Sequence, residues 1–288
     1  MASDFDRKAE DVGNILQLEH VNVRIPDQQI GTLFYVIGLG FTRDPYLNVG
    51  LQNMWINLGQ QQFHLPTAEP QVVRGVVGLC VPSLDALVQR LDNVKERLAG
   101  TKFSYAVEDK HVSITTPWGN KMRAHGPSPE FGDMTLGMPY VEFPVPQGHA
   151  TGIARFYREV FGAVAGVTSN GGVAAHVKVG PGQELIFAET TEPLAEYDGH
   201  HIAIYVSDFG APHRWLVDAK LLTEESNRYQ YRFKDIVDPD TKRVLFTLEH
   251  EVRCATHPMY LRPMVNRNPA QIQRTYVRGR DAYVPGME

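Results

Sequence analysis

Histidines and carboxylates stand in the strand-like stretches of this chain, at places that recur. His20-Val-Asn-Val-Arg-Ile-Pro leads to Phe34-Tyr35-Val-Ile-Gly-Leu-Gly40, and about 120 residues later Tyr140-Val-Glu142-Phe-Pro-Val-Pro leads to Phe156-Tyr157-Arg-Glu-Val-Phe-Gly162. Further candidates by type are His64 in Gln-Phe-His-Leu-Pro, the doublet His200-His201, and the pair Glu249-His250. Imidazole and carboxylate donors suit Fe(II), Mn(II), Zn(II) or Ni(II), and strands that bring them together would make a two- or three-His plus carboxylate set. Open coordination positions would accept a substrate through adjacent oxygens, with the metal as Lewis acid or oxygen-activating centre. Each candidate has a plainer reading too: His20 as a hydrogen-bonded residue at a sheet end, His64 as a structural strand residue, Glu249 and His250 as an exposed strand terminus.

The elements that must position these residues follow from the repeat. A duplicated strand-then-helix segment implies tandem repetition, so equivalent positions can be compared within one sequence. Leu16 to Ile25 alternates as a strand, Pro26-Asp27 opens a helix to about Ile37, and strand-like runs follow at 53–58 and 61–65. This β, α, β, β, β order returns from Gly75, with a helix from Leu84 to Leu98 carrying apolar residues at Leu84, Leu87, Val88 and Leu91. It returns again over 138–189 and 200–251. The aromatic pairs Phe34-Tyr35 and Phe156-Tyr157 are expected in the core. The expected organisation is a leader (1–15), a first domain (16–126), a turn-rich linker (127–137), a second domain (138–252) and an irregular arm (253–288).

The whole chain bounds the partners. Its 288 residues are 43% hydrophobic and 21% charged, as in globular proteins that work in water, and no apolar run approaches the roughly 20 residues a membrane span requires. A net charge of −5 without a Lys/Arg cluster offers no footprint for nucleic acid, so a small-molecule substrate is expected. The polar, acidic start lacks a secretion signal, and the expected location is the cytoplasm. Cys80 and Cys254 form no CxxC pattern and are expected as buried thiols.

The Phe-Tyr-x4-Gly helix end, the strand His201-Ile-Ala-Ile-Tyr-Val-Ser-Asp and the turn Asp238-Pro-Asp resemble the vicinal oxygen chelate superfamily over about residues 16–252. That superfamily includes glyoxalases, extradiol dioxygenases and fosfomycin-resistance proteins. The resemblance implies an α+β fold of paired βαβββ modules, curled into cupped mixed sheets that hold a divalent transition metal. It also implies ligands at His20, at His64, at His201 and on the last strand. There Phe246 stands at the usual Glu position, leaving Glu249 or His250 as the alternatives. In the opposite grouping, Tyr140 or Glu142, Phe187 or Glu189, Val76 and Arg123, Val76 cannot coordinate a metal and Arg123 would repel one; Glu142 and Glu189 read more simply as a solvated strand end and a loop acid than as a second site with Tyr140. One working site and one degenerate site are expected. In a glyoxalase-like reaction Glu249 would be the catalytic carboxylate shuttling the proton. The alternatives are a ring-cleaving extradiol-type dioxygenase and a non-catalytic protein sequestering a small molecule. The fused halves are compatible with a monomer or a homodimer.

Overall fold

The computed structural model describes residues 6–44, 47, 52–262 and 264; most of the expected arm lies outside them. Four successive units share the order β, α, β, β, β. The first holds β1 (Ile15–Asn22), α1 (Gln28–Gly31), which continues as a π-helix over Thr32–Gly38, β2 (Thr42–Arg43), β3 (Asn53–Leu58) and β4 (Gln61–Pro66). The second holds β5 (Val76–Cys80), α2 (Leu84–Lys95), β6 (Ser104–Val107), β7 (Val112–Thr115) and β8 (Lys121–His125). The third holds β9 (Tyr140–Pro146), α3 (Ala150–Phe161), β10 (Ala165–Thr168), β11 (Ala174–Gly180) and β12 (Gln183–Thr190). The fourth holds β13 (His201–Val206), α4 (Gly210–Asp218), β14 (Leu222–Asn227), β15 (Gln230–Val237) and β16 (Val244–Cys254).

Local chemistry starts and stops these elements. The Asp27 carboxylate accepts from the backbone N–H groups of Gln29 and Ile30, and Ser83 caps α2 through Ala86 N–H. Such caps satisfy donors that the first helical turn leaves unpaired. Gly162 ends α3 with a left-handed φ of 61°, which costs glycine least. Along the helices the apolar stripe turns inward. Phe34, Tyr35, Phe156 and Tyr157 are fully buried, placing both aromatic pairs in the core.

Sheet pairing crosses the two halves of the sequence. Sheet one runs β14-β15-β16-β13-β1-β4-β3-β2 and sheet two runs β10-β11-β12-β9-β5-β8-β7-β6. Each is therefore the first unit of one half joined to the second unit of the other. The joins are antiparallel pairs, β1 with β13 and β5 with β9. The strands flanking each join run parallel to their neighbours, as β4 does to β1 and β16 to β13. Mixed sheets of this kind curl, leaving a concave face on each, while α3 packs against β15 and β16 on the other face of sheet one. Among the described residues no helix is long and apolar enough to cross a membrane.

Candidate metal centre

The site begins with an irregularity in β1. Against β13, Leu18 lies opposite Ile204 and His20 opposite Ala203, so the register slips by one residue between them. A bulge of this kind sets two residues against one on the partner strand. Leu18 and Val21 thus both stay in the core, while Glu19 and His20 together reach the concave face. The backbone that the bulge frees is served from sheet two, where the Gln183 amide accepts from Leu18 N–H at 3.2 Å and donates to Leu18 C=O at 3.1 Å.

From there the register gathers three imidazoles. Asn22 lies opposite His201 on β13 and opposite His64 on β4, with His20 two residues away on the same strand. The His20 ring centroid is 5.8 Å from that of His64 and 5.6 Å from that of His201. One nitrogen from each of the three lies within 4.8 Å of the others. The Nε2 atoms of His20, His64 and His201 are all buried with no hydrogen-bond partner among the described residues. A buried nitrogen without a partner is costly, and three imidazoles that each carry one, gathered in one place, fit a shared cation.

Neighbouring groups orient the rings. The Nδ1 of His20 meets the Glu19 carboxylate, and that of His201 lies 3.6 Å from the nearer oxygen of Glu249. At His20 the Glu19 carboxylate takes Nδ1 and leaves Nε2 for a cation, whereas the carboxylates near His201, 3.6 Å from Nδ1 and 3.7 Å from Nε2, lie beyond hydrogen-bond distance. Trp55 stacks on His64 with centroids 3.9 Å apart and planes 14° apart, and it meets the edge of His20 at 5.0 Å.

Charge in the cup is dense and nearly all buried. Arg253 donates from Nη1 to Glu19 at 3.1 Å and from Nε to the Gln230 side-chain amide oxygen at 3.0 Å, and its Nη2 forms an ion pair with Glu251. Arg232 donates to Glu249 at 2.6 Å and to the second oxygen of Glu251, which lies 3.7 Å from His201 Nε2. Burial alone would raise the Glu19 carboxyl, but Arg253 and then His20 hold it down at about 2. Glu251 is pulled further below the usual range, its burial outweighed by Arg253, His20 and Arg232. Burial, and then the nearness of His20, pushes His64 and His201 well below the ordinary histidine range. Both therefore stay neutral at pH 7, the form that ligates.

His20, His64 and His201 thus come together. Glu249 shares their face, lying on the Nδ1 side of His201. His250, the alternative expected on the last strand, takes no part in the cluster. It packs on the helix side, with Nε2 2.6 Å from the Tyr157 hydroxyl, Nδ1 2.7 Å from Leu248 C=O, and its ring stacked on Phe233 at 4.5 Å. Burial lowers it to about 4. Burial along β16 alternates but faces the other way from the expectation, Phe246, Leu248 and His250 entering the core and Glu249, Glu251 and Arg253 lining the cup, while its register against β15 slips between Thr247 and His250. Arg123 lies opposite Gly78 as Glu251 lies opposite Ala203, so the counterpart of Arg123 is Glu251 and not Phe246. Extending the alternation of Glu249 by two residues would have found Glu251. Glu19 carried no such signal, because strict alternation admits either Glu19 or His20 to one face. Arg253 and Arg262 pair with carboxylates that are themselves buried, Glu19 and Glu251 for the one and Asp44 for the other.

The cup of sheet two is furnished differently. Arg123 donates to Glu142 at 2.9 Å, and the Tyr140 hydroxyl lies 2.8 Å from His125 Nε2. Phe187 is in the core against Phe143, and the Glu189 carboxylate accepts from Ala150 N–H at the start of α3.

No family model matches the chain, and comparison with curated proteins finds no relative. Solved structures do match. Glyoxalase I from Zea mays aligns over 88% of this chain and 96% of its own, with a TM-score of 0.59 and 12% identity. A Bacillus subtilis protein described as a dioxygenase aligns over 85% of this chain and 87% of its own, with a TM-score of 0.58 and 14% identity. At such identities the likeness speaks for architecture. The paired units, the two cupped sheets and these matches show that this chain has the two-domain vicinal oxygen chelate fold.

Proposed function

We propose that this chain is a metal-dependent enzyme of the glyoxalase/dioxygenase type, acting on a small oxygenated molecule in the cup of sheet one. The observation that carries this reading is the convergence of three imidazoles, each with a buried Nε2 that has no hydrogen-bond partner among the described residues. His20, His64 and His201 would hold a divalent Fe, Mn, Zn or Ni ion, with Glu251 as the adjacent carboxylate. Such an ion supplies Lewis-acid or oxygen-activating chemistry to a substrate bound through neighbouring oxygens. The chain's own groups do the rest. Glu19 orients the ring of His20 through Nδ1, and Trp55 stacks on the plane of His64. His64 and Glu249 are half-buried where His20 is fully enclosed, so the substrate enters on their side. Glu249, at that opening, is the carboxylate for moving a proton on a glyoxalase-type substrate.

The test is the metal content of protein purified without chelator or affinity metal, with His20→Ala and His201→Ala alongside. About one ion per chain in the wild type and none in the variants is expected for a site with single ligands from separate strands. A wild type that is metal-free and cannot be reconstituted would overturn the enzyme reading and leave sequestration of a small molecule. A second reading, a ring-cleaving dioxygenase, draws on His20, His201 and Glu251 as two imidazoles and a carboxylate with open positions between them. Oxygen uptake with catechols would separate it from the glyoxalase reading.

A further inference from the structure

Glu251 is held by two arginines in two different ways. Arg253 is buried, takes one oxygen of Glu251, and is itself fixed by Glu19, Gln230 and the Tyr205 hydroxyl at 3.4 Å. Arg232 comes from β15 on the more open side, where its side chain retains 20% exposure. It grips the other oxygen of Glu251, the one 3.7 Å from His201 Nε2 and therefore facing the metal position. Arg232 also has a second anchor in Glu249 at 2.6 Å, and a third carboxylate, Glu224, lies 3.6 Å from its Nε.

We infer that Arg232 masks the metal-facing oxygen of Glu251 and must release it, keeping Glu249, for a divalent cation to be bound with full affinity. Arg253 is the opposite kind of group, a positioning residue that holds Glu251 and, through Glu19, His20 in the geometry the cation needs. A guanidinium and a divalent ion cannot share one carboxylate oxygen without repulsion in a buried cup. The arrangement makes Arg232 a competitor of the metal and Arg253 its support, although both are cations paired to the same carboxylate. This inference rests on the metal reading of the site.

Co(II) titration of the full chain, followed by its visible absorption and by competition with a chromophoric chelator, tests it. Arg232→Met keeps the apolar stem and is expected to bind Co(II) about tenfold more tightly than wild type, while Arg253→Lys binds it about tenfold more weakly, within the range that groups supporting a ligand exert. In a Glu251→Gln background the Arg232→Met gain is expected to vanish. Equal affinity of wild type and Arg232→Met, or a gain that persists without the Glu251 carboxylate, would overturn the mask while leaving the metal reading intact. Tighter binding confined to Arg232→Met would support it even if Arg253→Lys fails to fold. No Co(II) binding by wild type or Arg232→Met would overturn the metal reading, and this inference with it.

Discussion

The two cups are built on the same pairing scheme and end with opposite chemistry. Where sheet one has His20, His64, His201 and Glu251, the register of sheet two places Tyr140, Ile186, Val76 and Arg123. The first set gathers three imidazoles whose Nε2 atoms have no hydrogen-bond partner among the described residues. In the second, the place of Glu251 is taken by a cation, Arg123, which pairs with Glu142, and the places of His64 and His201 by Ile186 and Val76. Even the small residue at the join differs: Ala203 lies opposite His20, whereas at Gly78 an added Cβ would stand 2.5 Å from the Tyr140 ring. The scaffold brings four strands together in both places. The side chains on them decide whether the meeting point needs an external cation.

The sharpest way to break this contrast is to remove a ligand from each cup. His20→Ala or His201→Ala should weaken Co(II) or Zn(II) binding by at least about a hundredfold, at or beyond the limit for residues that only support a ligand. Tyr140→Ala and Arg123→Ala should leave stoichiometry and affinity unchanged. Isothermal titration of the four proteins decides it, and any loss of metal from the sheet-two variants would end the assignment.

Next in size is a contrast within β16. His250→Ala opens a core cavity and strands the Tyr157 hydroxyl, so it should cost about 2–4 kcal/mol of stability with metal binding per folded chain preserved. Denaturant unfolding with metal analysis checks both halves of that statement.

Acid should expose the same buried groups. The folded His250 pKa, about 4, lies below its ordinary 6.5. Its contribution is therefore full above pH 6.5 and is lost as pH falls toward 4, at most roughly 3 kcal/mol by linkage. Glu19, lowered from 4.5 to about 2, extends the loss as pH falls through that lower window. Denaturation midpoints of metal-free protein between pH 7.5 and 5 should fall, and His250→Leu should flatten the dependence. An unchanged slope in that variant would reassign the loss.

The smallest effect separates the joins. Gly78→Ala should destabilise by about 1–3 kcal/mol by crowding Tyr140, whereas Ala203→Gly should cost about 0.5–1 kcal/mol. Thermal unfolding of the two variants gives the comparison directly.

Much of this was legible in one dimension. Internal repetition and hydrophobic period set out four units of one strand-helix pattern, with the Phe-Tyr pairs inward, because burial imposes its period on the residues themselves. Residue type singled out His20, His64 and His201 as donors, and the resemblance grouped them across the two halves. The last strand was harder. Alternation there gave the correct pairs of faces, but nothing local said which face met the helices, so His250 and Glu249 stayed open and Glu251 went unnoticed.

Tertiary structure decided what depends on register and burial. Pairing β1 with β13 and inserting one extra residue at the bulge is what turns both Glu19 and His20 into one cup, and a bulge leaves no periodic trace in so short a strand. Packing α3 against β15 and β16 is what sends His250 to Tyr157 and frees Glu251 for the site. The sequence by itself determined the donors and the elements that carry them; only the fold determined which donors meet, because that choice is made by strand neighbours far apart along the chain.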